Sequence, residues 1–310
     1  MSVASLRYRI EHCTEYRYSE PVAICQNQLR MQPQTRSGIT CHESTISITP
    51  VPETVTEHVD YFGNRVYSFA IETLHKELTA VANSDVTVEP PKYRSLDDLA
   101  ATAIPWTQVR NEARDIARLP DRLAYEFLFD SPRVMTDKIF SDYAIESFQG
   151  DRAILEAALD LTKRIHKDFR YDTTATDVHT PTINAFRLRA GVCQDFAHVQ
   201  IACLRSIGLP ARYVSGYLRT IPPEGKPRMV GADESHAWLS VYGGPLLGWI
   251  DCDPTNACLC GTDHIPICVG RDYGDVSPMR GVILGGGQTS LKVRVDVEPL
   301  LPATTTSNLS

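Results

Sequence analysis

Residues 191–197, Gly191-Val-Cys-Gln-Asp-Phe-Ala197, decide the fold, because they place a cysteine at the predicted start of a helix. Apolar residues then recur at helical spacing, namely Phe196, Val199, Cys203 and Ile207. The unpaired N–H groups and the macrodipole at a helix N-terminus favour a thiolate over a thiol, and the same N–H groups could hold a developing oxyanion. Cys193 is therefore the candidate nucleophile. The alternative is that Cys193 is a core residue like Cys203.

A histidine and an aspartate further along the chain supply the groups that a cysteine nucleophile needs. His236 lies at the beginning of the predicted strand 235–242, and an imidazole can take the thiol proton and return it to a leaving group. Asp253 follows the predicted partner strand 247–252 and could reach His236, fixing the tautomer of its ring. From the residues alone Asp251 is an equally good candidate, and Asp253 could serve only to start a turn.

The composition excludes several classes of function. The 310 residues are 43% hydrophobic and 22% charged, which is typical of a soluble globular protein. The net charge of −7 argues against nucleic acid or an anionic membrane as the main partner. No apolar run is long enough for a transmembrane helix, and the first 18 residues lack the apolar segment of a signal peptide, so we expect a cytoplasmic protein.

Nine cysteines, an odd number spread over a long chain, do not indicate a disulfide framework. Five soft ligands fall within 17 positions: Cys252, Cys258, Cys260, His264 and Cys268. The single residue between Cys258 and Cys260 is a shorter spacer than chelating loops use, so the cluster predicts buried free thiols, with structural zinc as the alternative. No phosphate loop or dinucleotide fingerprint is present, and we expect neither a metal nor an organic cofactor.

The pattern of hydrophobic residues divides the chain. Residues 1–91 predict a β-rich N-terminal domain, with turn signals at 19–21 and 60–64 and a boundary at Glu89-Pro-Pro91. Residues 92–302 predict linker helices and a catalytic core, and residues 303–310 a frayed tail.

The predicted catalytic core mixes helices with strands. Its helices are expected near 107–117, 151–167 and 181–189. Its last strand is expected at 290–297, where polar and apolar residues alternate.

Four motifs in order resemble the core of the bacterial transglutaminase-like superfamily: residues 191–197, 209–217, 235–238 (Ser-His-Ala-Trp) and 248–256 (Gly-Trp-Ile-Asp-Cys-Asp-Pro-Thr-Asn). Residues 16–21 and 60–64 resemble the N-terminal domain that accompanies this core in bacteria. The resemblance implies an α+β, papain-like/transglutaminase-core cysteine proteinase fold preceded by a small β-rich domain. It also implies that Cys193, His236 and Asp253 form a catalytic triad, which favours Asp253 over Asp251.

The expected activity is acyl transfer at amide or peptide bonds through a thioester on Cys193. Water as the acceptor gives a protease or amidase, which is the leading hypothesis, and a lysine amine gives a protein-glutamine gamma-glutamyltransferase. A non-catalytic binding module that keeps the fold is a third hypothesis. The expected partner is a peptide or protein substrate. No upstream residue is identified as a second oxyanion donor, and Gln194 and Asp195 are interpreted as N-terminal helix residues.

Overall fold

The computed structural model describes residues 4–91, 103–115, 122–221 and 233–300. Its N-terminal part is built from antiparallel strands: β1 (Leu6–Leu29), β2 (Ile39–Thr49), β3 (Thr54–Val59), β4 (Arg65–Ile71) and β5 (His75–Val88). They lie in the order β2-β5-β1-β4-β3. One face of β1 is buried, as a strand in a sheet with a core on one side requires. Every second residue is buried, namely Tyr8, Ile10, His12 and Thr14. The residues between them are less buried or exposed, apart from Cys13. The predicted strands of this region are confirmed.

One turn predicted in this region is wrong. The Ser19-Glu-Pro21 segment does not end a strand, since β1 runs through it without interruption. The pairing of β1 with β5 shifts register between Arg17 and Val22. The proline therefore lies at an irregularity in the pairing, inside one long strand.

The rest of the chain forms a mixed helical and sheet structure. Its helices are α1 (Trp106–Glu112), α2 (Leu123–Glu126), α3 (Lys138–Ile145), α4 (Ile154–Asp168), α5 (Thr182–Leu188), α6 (Cys193–Ser206), α7 (Gly244–Leu247) and α8 (Tyr273–Val276). Its strands are β6 (Arg170–Tyr171), β7 (Ala190–Gly191), β8 (Ala211–Leu218), β9 (Glu234–Tyr242), β10 (Trp249–Asp253), β11 (Cys258–Leu259) and β12 (His264–Gly270). The longer strands pair antiparallel in the order β11-β10-β9-β8-β12. The helices predicted at 151–167 and 181–189 are present within a few residues of their expected ends. Of the helix predicted at 107–117, α1 covers the first part and ends at Glu112, and residues 116–117 lie outside the described residues.

The last two strands, β13 (Met279–Gly285) and β14 (Thr289–Leu300), return to the N-terminal sheet. Both pair with β1, and β14 does so continuously from Arg7 opposite Leu300 to Tyr18 opposite Thr289. This final strand was predicted to belong to the catalytic core, but its pairing with β1 places it in the N-terminal sheet. The predicted boundary at residue 91 stays a prediction, and both the linker at 92–102 and the predicted frayed tail at 303–310 lie outside the described residues.

Helix α6 is the central element of the catalytic core. Every residue from Asp195 to Arg205 is buried, so the helix is covered on all sides and not only along the predicted apolar stripe. Its polar residues have partners inside the protein: Gln200 Nε2 donates to Thr162 Oγ1 at 2.7 Å, and Arg205 donates to the carbonyl of Ala211 at 2.8 and 3.0 Å. These contacts fix the helix, and with it the position of its first residue, Cys193.

Two buried contacts join the sheets. His12 Nδ1 lies 2.7 Å from the hydroxyl of Tyr217, which connects β1 to β8. The carboxylate of Asp233 accepts from the backbone N–H groups of Thr220 and Val297, each at 2.7 Å, which connects the core to β14. No helix of the described ranges combines the length and apolar character that crossing a bilayer requires.

Candidate active site

Cys193 is the first residue of α6 and is partly buried. The carboxylate of Asp195 holds the chain there, because its Oδ2 accepts from the backbone N–H of Val192 at 2.9 Å and from Thr176 Oγ1 at 2.7 Å. A Cβ atom at Gly191 would overlap the Asp195 carboxylate, so the close approach requires glycine. Burial raises the pKa of Asp195, against hydrogen bonds from Thr176 and Val192 that lower it. These contacts hold Cys193 at the start of a helix whose next residues are buried.

His236 lies on β9 and is 5% exposed. It stands opposite Gly216 of β8, where a Cβ would collide with the ring of Trp238, so glycine makes room for the aromatic side chain beside the histidine. The Nε2 atom of His236 is 2.8 Å from Oδ2 of Asp253, and the Cys193 thiol is near enough to contribute to the pKa of the ring. Since Nε2 faces the carboxylate, Nδ1 is the nitrogen left for the thiol.

The charge on the His236 ring is stabilised by its neighbours. Burial alone would lower the pKa of His236, but hydrogen bonds and charge interactions with Asp253 and Cys193 outweigh burial and raise it to about 10. An imidazolium is therefore the favoured state of this ring near neutral pH. Such a cation beside a cysteine favours the thiolate partner of an ion pair.

Asp253 ends β10 and is fully buried. Its Oδ1 accepts from the backbone N–H groups of Thr255 at 2.8 Å and Asn256 at 3.2 Å. Its Oδ2 accepts from Asn256 Nδ2 at 2.7 Å as well as from His236. Burial acts to raise the pKa of Asp253, but the hydrogen bonds from His236 and His264 dominate and hold it well below the usual range. The carboxylate stays ionised because each oxygen has donors.

The other aspartate, Asp251, makes different contacts. It lies opposite Ser240 on β9, accepts a short hydrogen bond from the hydroxyl of Ser240, and lies 3.4 Å from Trp238 Nε1. Of the two aspartates that the residues alone left open, Asp253 is the one that contacts His236. The structure thus brings His236 and Asp253 together, with Cys193 near enough to influence the pKa of His236.

His264, which the sequence analysis weighed only as a metal ligand, belongs to the same cluster. Its Nε2 lies 3.0 Å from Oδ2 of Asp253, and the side chain is largely buried. Strand order does not predict this contact. His264 begins β12 at one edge of the sheet, whereas β11, the strand beside Asp253, lies at the opposite edge.

Within the described residues, His236, Asp253 and His264 are the group whose ligand atoms come close enough for a metal ion, all within 4.8 Å of one another. The cysteines for which the sequence left structural zinc as the alternative, Cys252, Cys258, Cys260 and Cys268, are free thiols, and burial raises the pKa of Cys252 and Cys268 to about 12 and that of Cys258 to about 11.

An antiparallel sheet that carries a buried His–Asp pair, beside a cysteine at a helix N-terminus, defines a papain-like, transglutaminase-type cysteine proteinase fold. Comparison with known proteins agrees. Residues 8–87 match the bacterial transglutaminase-like N-terminal region, and residues 141–254 match the transglutaminase-like superfamily. The chain belongs to the transglutaminase-like superfamily and carries its bacterial N-terminal region.

Several relatives share nearly the whole chain. An uncharacterized protein of Mycobacterium tuberculosis is 40% identical over 94% of this chain and 93% of its own length. One from Mycobacterium leprae is 32% identical over 95% of this chain and 99% of its own. A Pseudomonas aeruginosa protein named protein-glutamine gamma-glutamyltransferase is 38% identical over 71 residues, which are 23% of this chain and 10% of that protein.

A solved structure shares the fold. The crystal structure of a proposed cysteine protease from Cytophaga hutchinsonii aligns with a TM-score of 0.74, covering 98% of this chain and 94% of the other. The two sequences are 20% identical, so this likeness concerns the fold alone. It supports the predicted α+β architecture, including the β-rich N-terminal part.

Proposed function

We propose that the protein is a cysteine-dependent acyl-transfer enzyme that attacks amide or peptide bonds through a thioester on Cys193. The observation that carries the proposal is the position of His236, whose Nε2 lies 2.8 Å from Oδ2 of Asp253 and whose pKa is raised in part by Cys193. This arrangement supplies a nucleophile, a base and a group that orients the base. Cys193 is also not fully buried.

The first half of the reaction forms the thioester. The proton of Cys193 passes to His236 when the thiolate–imidazolium pair forms, and the thiolate then attacks the substrate carbonyl carbon, breaking the C=O π bond and leaving a tetrahedral oxyanion. The N–H groups at the start of α6 can donate to that oxygen. As the C–N bond breaks, the imidazolium gives its proton to the departing amine. Asp253 keeps its charge throughout and stabilises the imidazolium.

The second half consumes the thioester. His236 takes a proton from water and becomes the imidazolium, and the resulting hydroxide adds to the acyl carbon to give a second tetrahedral oxyanion. As the C=O bond re-forms, the C–S bond breaks, which releases the acid and returns the cysteine thiolate beside the imidazolium. We propose water as the main acceptor, because a thioester in an accessible site always meets water. Amine transfer is the second candidate, favoured by the local similarity to the Pseudomonas aeruginosa protein-glutamine gamma-glutamyltransferase.

One experiment separates these activities. Wild type and Cys193→Ala are incubated with glutamine-containing peptides, with and without a primary amine, and the products are followed by mass spectrometry. Cleavage or deamidation that needs Cys193 supports hydrolysis. Amine incorporation much faster than hydrolysis would establish the transferase instead, and equal product levels in both proteins would indicate a non-catalytic binding module.

We also propose a peptide or protein as acyl donor, and the cytoplasm as the compartment. The net charge of −7 disfavours nucleic acid, and nine free thiols suit a reducing environment. Cell fractionation with an antibody against the protein tests the compartment, and recovery outside the cytoplasm would overturn it.

A further inference from the structure

The hydrogen bonds of His264 determine which of its nitrogens carries the proton. The backbone N–H of Gly261 lies 3.4 Å from Nδ1 of His264 and can only donate, so Nδ1 is the acceptor and has no proton. The proton of the neutral ring is therefore on Nε2. That atom lies 3.0 Å from Oδ2 of Asp253 and donates to it.

Asp253 thus lies between two imidazoles. Its Oδ2 accepts from His236 at 2.8 Å, from His264 at 3.0 Å and from Asn256 Nδ2 at 2.7 Å. The ring of Trp238 lies edge-on to His264, with centroids 5.3 Å apart, and 6.0 Å from His236, so one aromatic side chain packs against both histidines. Removing His264 would take away one of the three donors that hold Oδ2 of this fully buried carboxylate in place.

We infer that His264 is a positioning residue, acting through Asp253, for the proposed reaction at Cys193. This inference rests on the proposed function, because the effect of His264 is defined by what Asp253 does for His236. His264 fixes the orientation of the carboxylate and keeps it ionised, and the carboxylate fixes His236 with Nδ1 towards the thiol. His264 contacts Asp253 and not the thiol in the hydrogen bonds described for it.

A metal ion would use the same three side chains in a different protonation state. Binding through Nε2 of His264 requires the proton to move to Nδ1, where it would meet the N–H of Gly261. Two donors would then face each other in a buried place. The hydrogen-bonded arrangement avoids this conflict, and the experiment below includes the metal as a contrary outcome.

The test compares His264→Phe with His264→Gln in the full-length protein. Phenylalanine keeps a ring against Trp238 but has no donor, whereas the glutamine amide nitrogen can take the place of Nε2–H. We expect His264→Phe to lower kcat and the rate of Cys193 alkylation by iodoacetamide about ten- to hundred-fold, with KM unchanged. His264→Gln should recover most of both. The matched control is His75→Phe, since His75 is also largely buried and stands edge-on to an aromatic ring, that of Tyr18, in the N-terminal sheet.

Equal losses in His264→Phe and His264→Gln, or no loss in either, would overturn the inference. Activity that a chelator abolishes and zinc restores would also overturn it, in favour of a metal ligand. Imidazole ¹⁵N NMR of the wild type at pH 8 tests the tautomer without any activity, and a protonated Nδ1 on His264 would contradict it. If Cys193 of the wild type shows no fast alkylation while the tautomer is as described, the proposed function has failed and the hydrogen-bond assignment stands.

Discussion

The Nε2 atom of His236 lies 2.8 Å from Oδ2 of Asp253, and both side chains are buried. This pair crosses from β9 to the end of β10, so two neighbouring strands hold it in register. A buried ion pair of this kind contributes little to stability compared with an apolar pair of the same shape, and removing one partner is costly. Its retention in the core is therefore better explained by chemistry than by stability.

The first prediction concerns the choice of aspartate. Asp253→Asn should remove the negative charge that stabilises the His236 imidazolium and lower kcat by at least about a hundred-fold, while the protein stays folded. Asp251→Asn is the matched control two residues away, since Asp251 contacts Ser240 and Trp238. Steady-state kinetics and circular dichroism of both variants check this. A larger loss of kcat in Asp251→Asn would mean that the wrong carboxylate has been assigned.

The second prediction is a pH dependence of stability. The pKa of His236 rises from 6.5 to about 10 on folding, so the folded protein holds this proton more tightly than the unfolded chain. The associated stabilisation is fully present below pH 6.5 and is lost as the pH rises through about 10. Its size is on the order of 5 kcal/mol. The contribution of Asp253 does not change in this range, because its pKa lies below 3.8 in the folded state.

Urea denaturation at several pH values between 6.5 and 10, under reducing conditions, measures this loss. The free energy of unfolding of the wild type should fall more steeply with pH than that of His236→Gln, which has no ring to titrate. Parallel curves for the two proteins would show that His236 does not carry the raised pKa.

The third prediction concerns the start of α6. Asp195→Ala removes the acceptor for the backbone N–H of Val192 and for Thr176, so it should lower the free energy of unfolding by about 1–2 kcal/mol. It should also slow alkylation of Cys193, because the thiol loses its fixed place. Asp195→Asn keeps an acceptor oxygen and should lose less of both.

Asp137 provides the control for that prediction. Its side chain caps α3 by accepting from the backbone N–H of Ile139 at 2.9 Å, far along the chain from the thiol. Asp137→Ala should cost a similar free energy of unfolding while leaving the alkylation rate of Cys193 unchanged. If both variants slow alkylation equally, the effect comes from general destabilisation and not from the position of Cys193.

The sequence predicts local features well, because they depend on neighbouring residues. The apolar stripe of α4 and the N-terminal position of Cys193 on α6 follow from helical spacing. The motif around residues 248–256 favours Asp253 over Asp251 only through the family resemblance, since strand pairing alone allows either. The contact of Asp253 with His236 depends on three-dimensional geometry.

The sequence does not predict contacts between segments that lie far apart along the chain. The alternation in β14 shows that one face is buried but carries no information about its partner, and the partner is β1, almost the whole chain away. His264 at the start of β12 contacts Asp253 at the end of β10, although β9 and β8 lie between these strands in the sheet order. Pro21, which lies within β1, predicts a turn by local rules. Strand pairing of the residues before and after it overrides that preference.

The last prediction is that Cys193 is the most reactive of the nine thiols. It lies partly exposed at a helix N-terminus beside His236, both of which favour the thiolate. Cys258 is the matched comparison, because it is also partly exposed, but burial raises its pKa to about 11. Limiting iodoacetamide near pH 7 should therefore modify Cys193 first and abolish activity in step with the labelling.

Peptide mapping by mass spectrometry identifies the labelled thiol, and two variants make the test specific. His236→Ala should slow the labelling of Cys193, because the imidazolium that stabilises its thiolate is gone. Cys258→Ala should leave both the labelling of Cys193 and the activity as in the wild type. Labelling that begins at Cys258, together with an active Cys193→Ala protein, would mean that the nucleophile lies elsewhere and that the proposed reaction does not pass through Cys193.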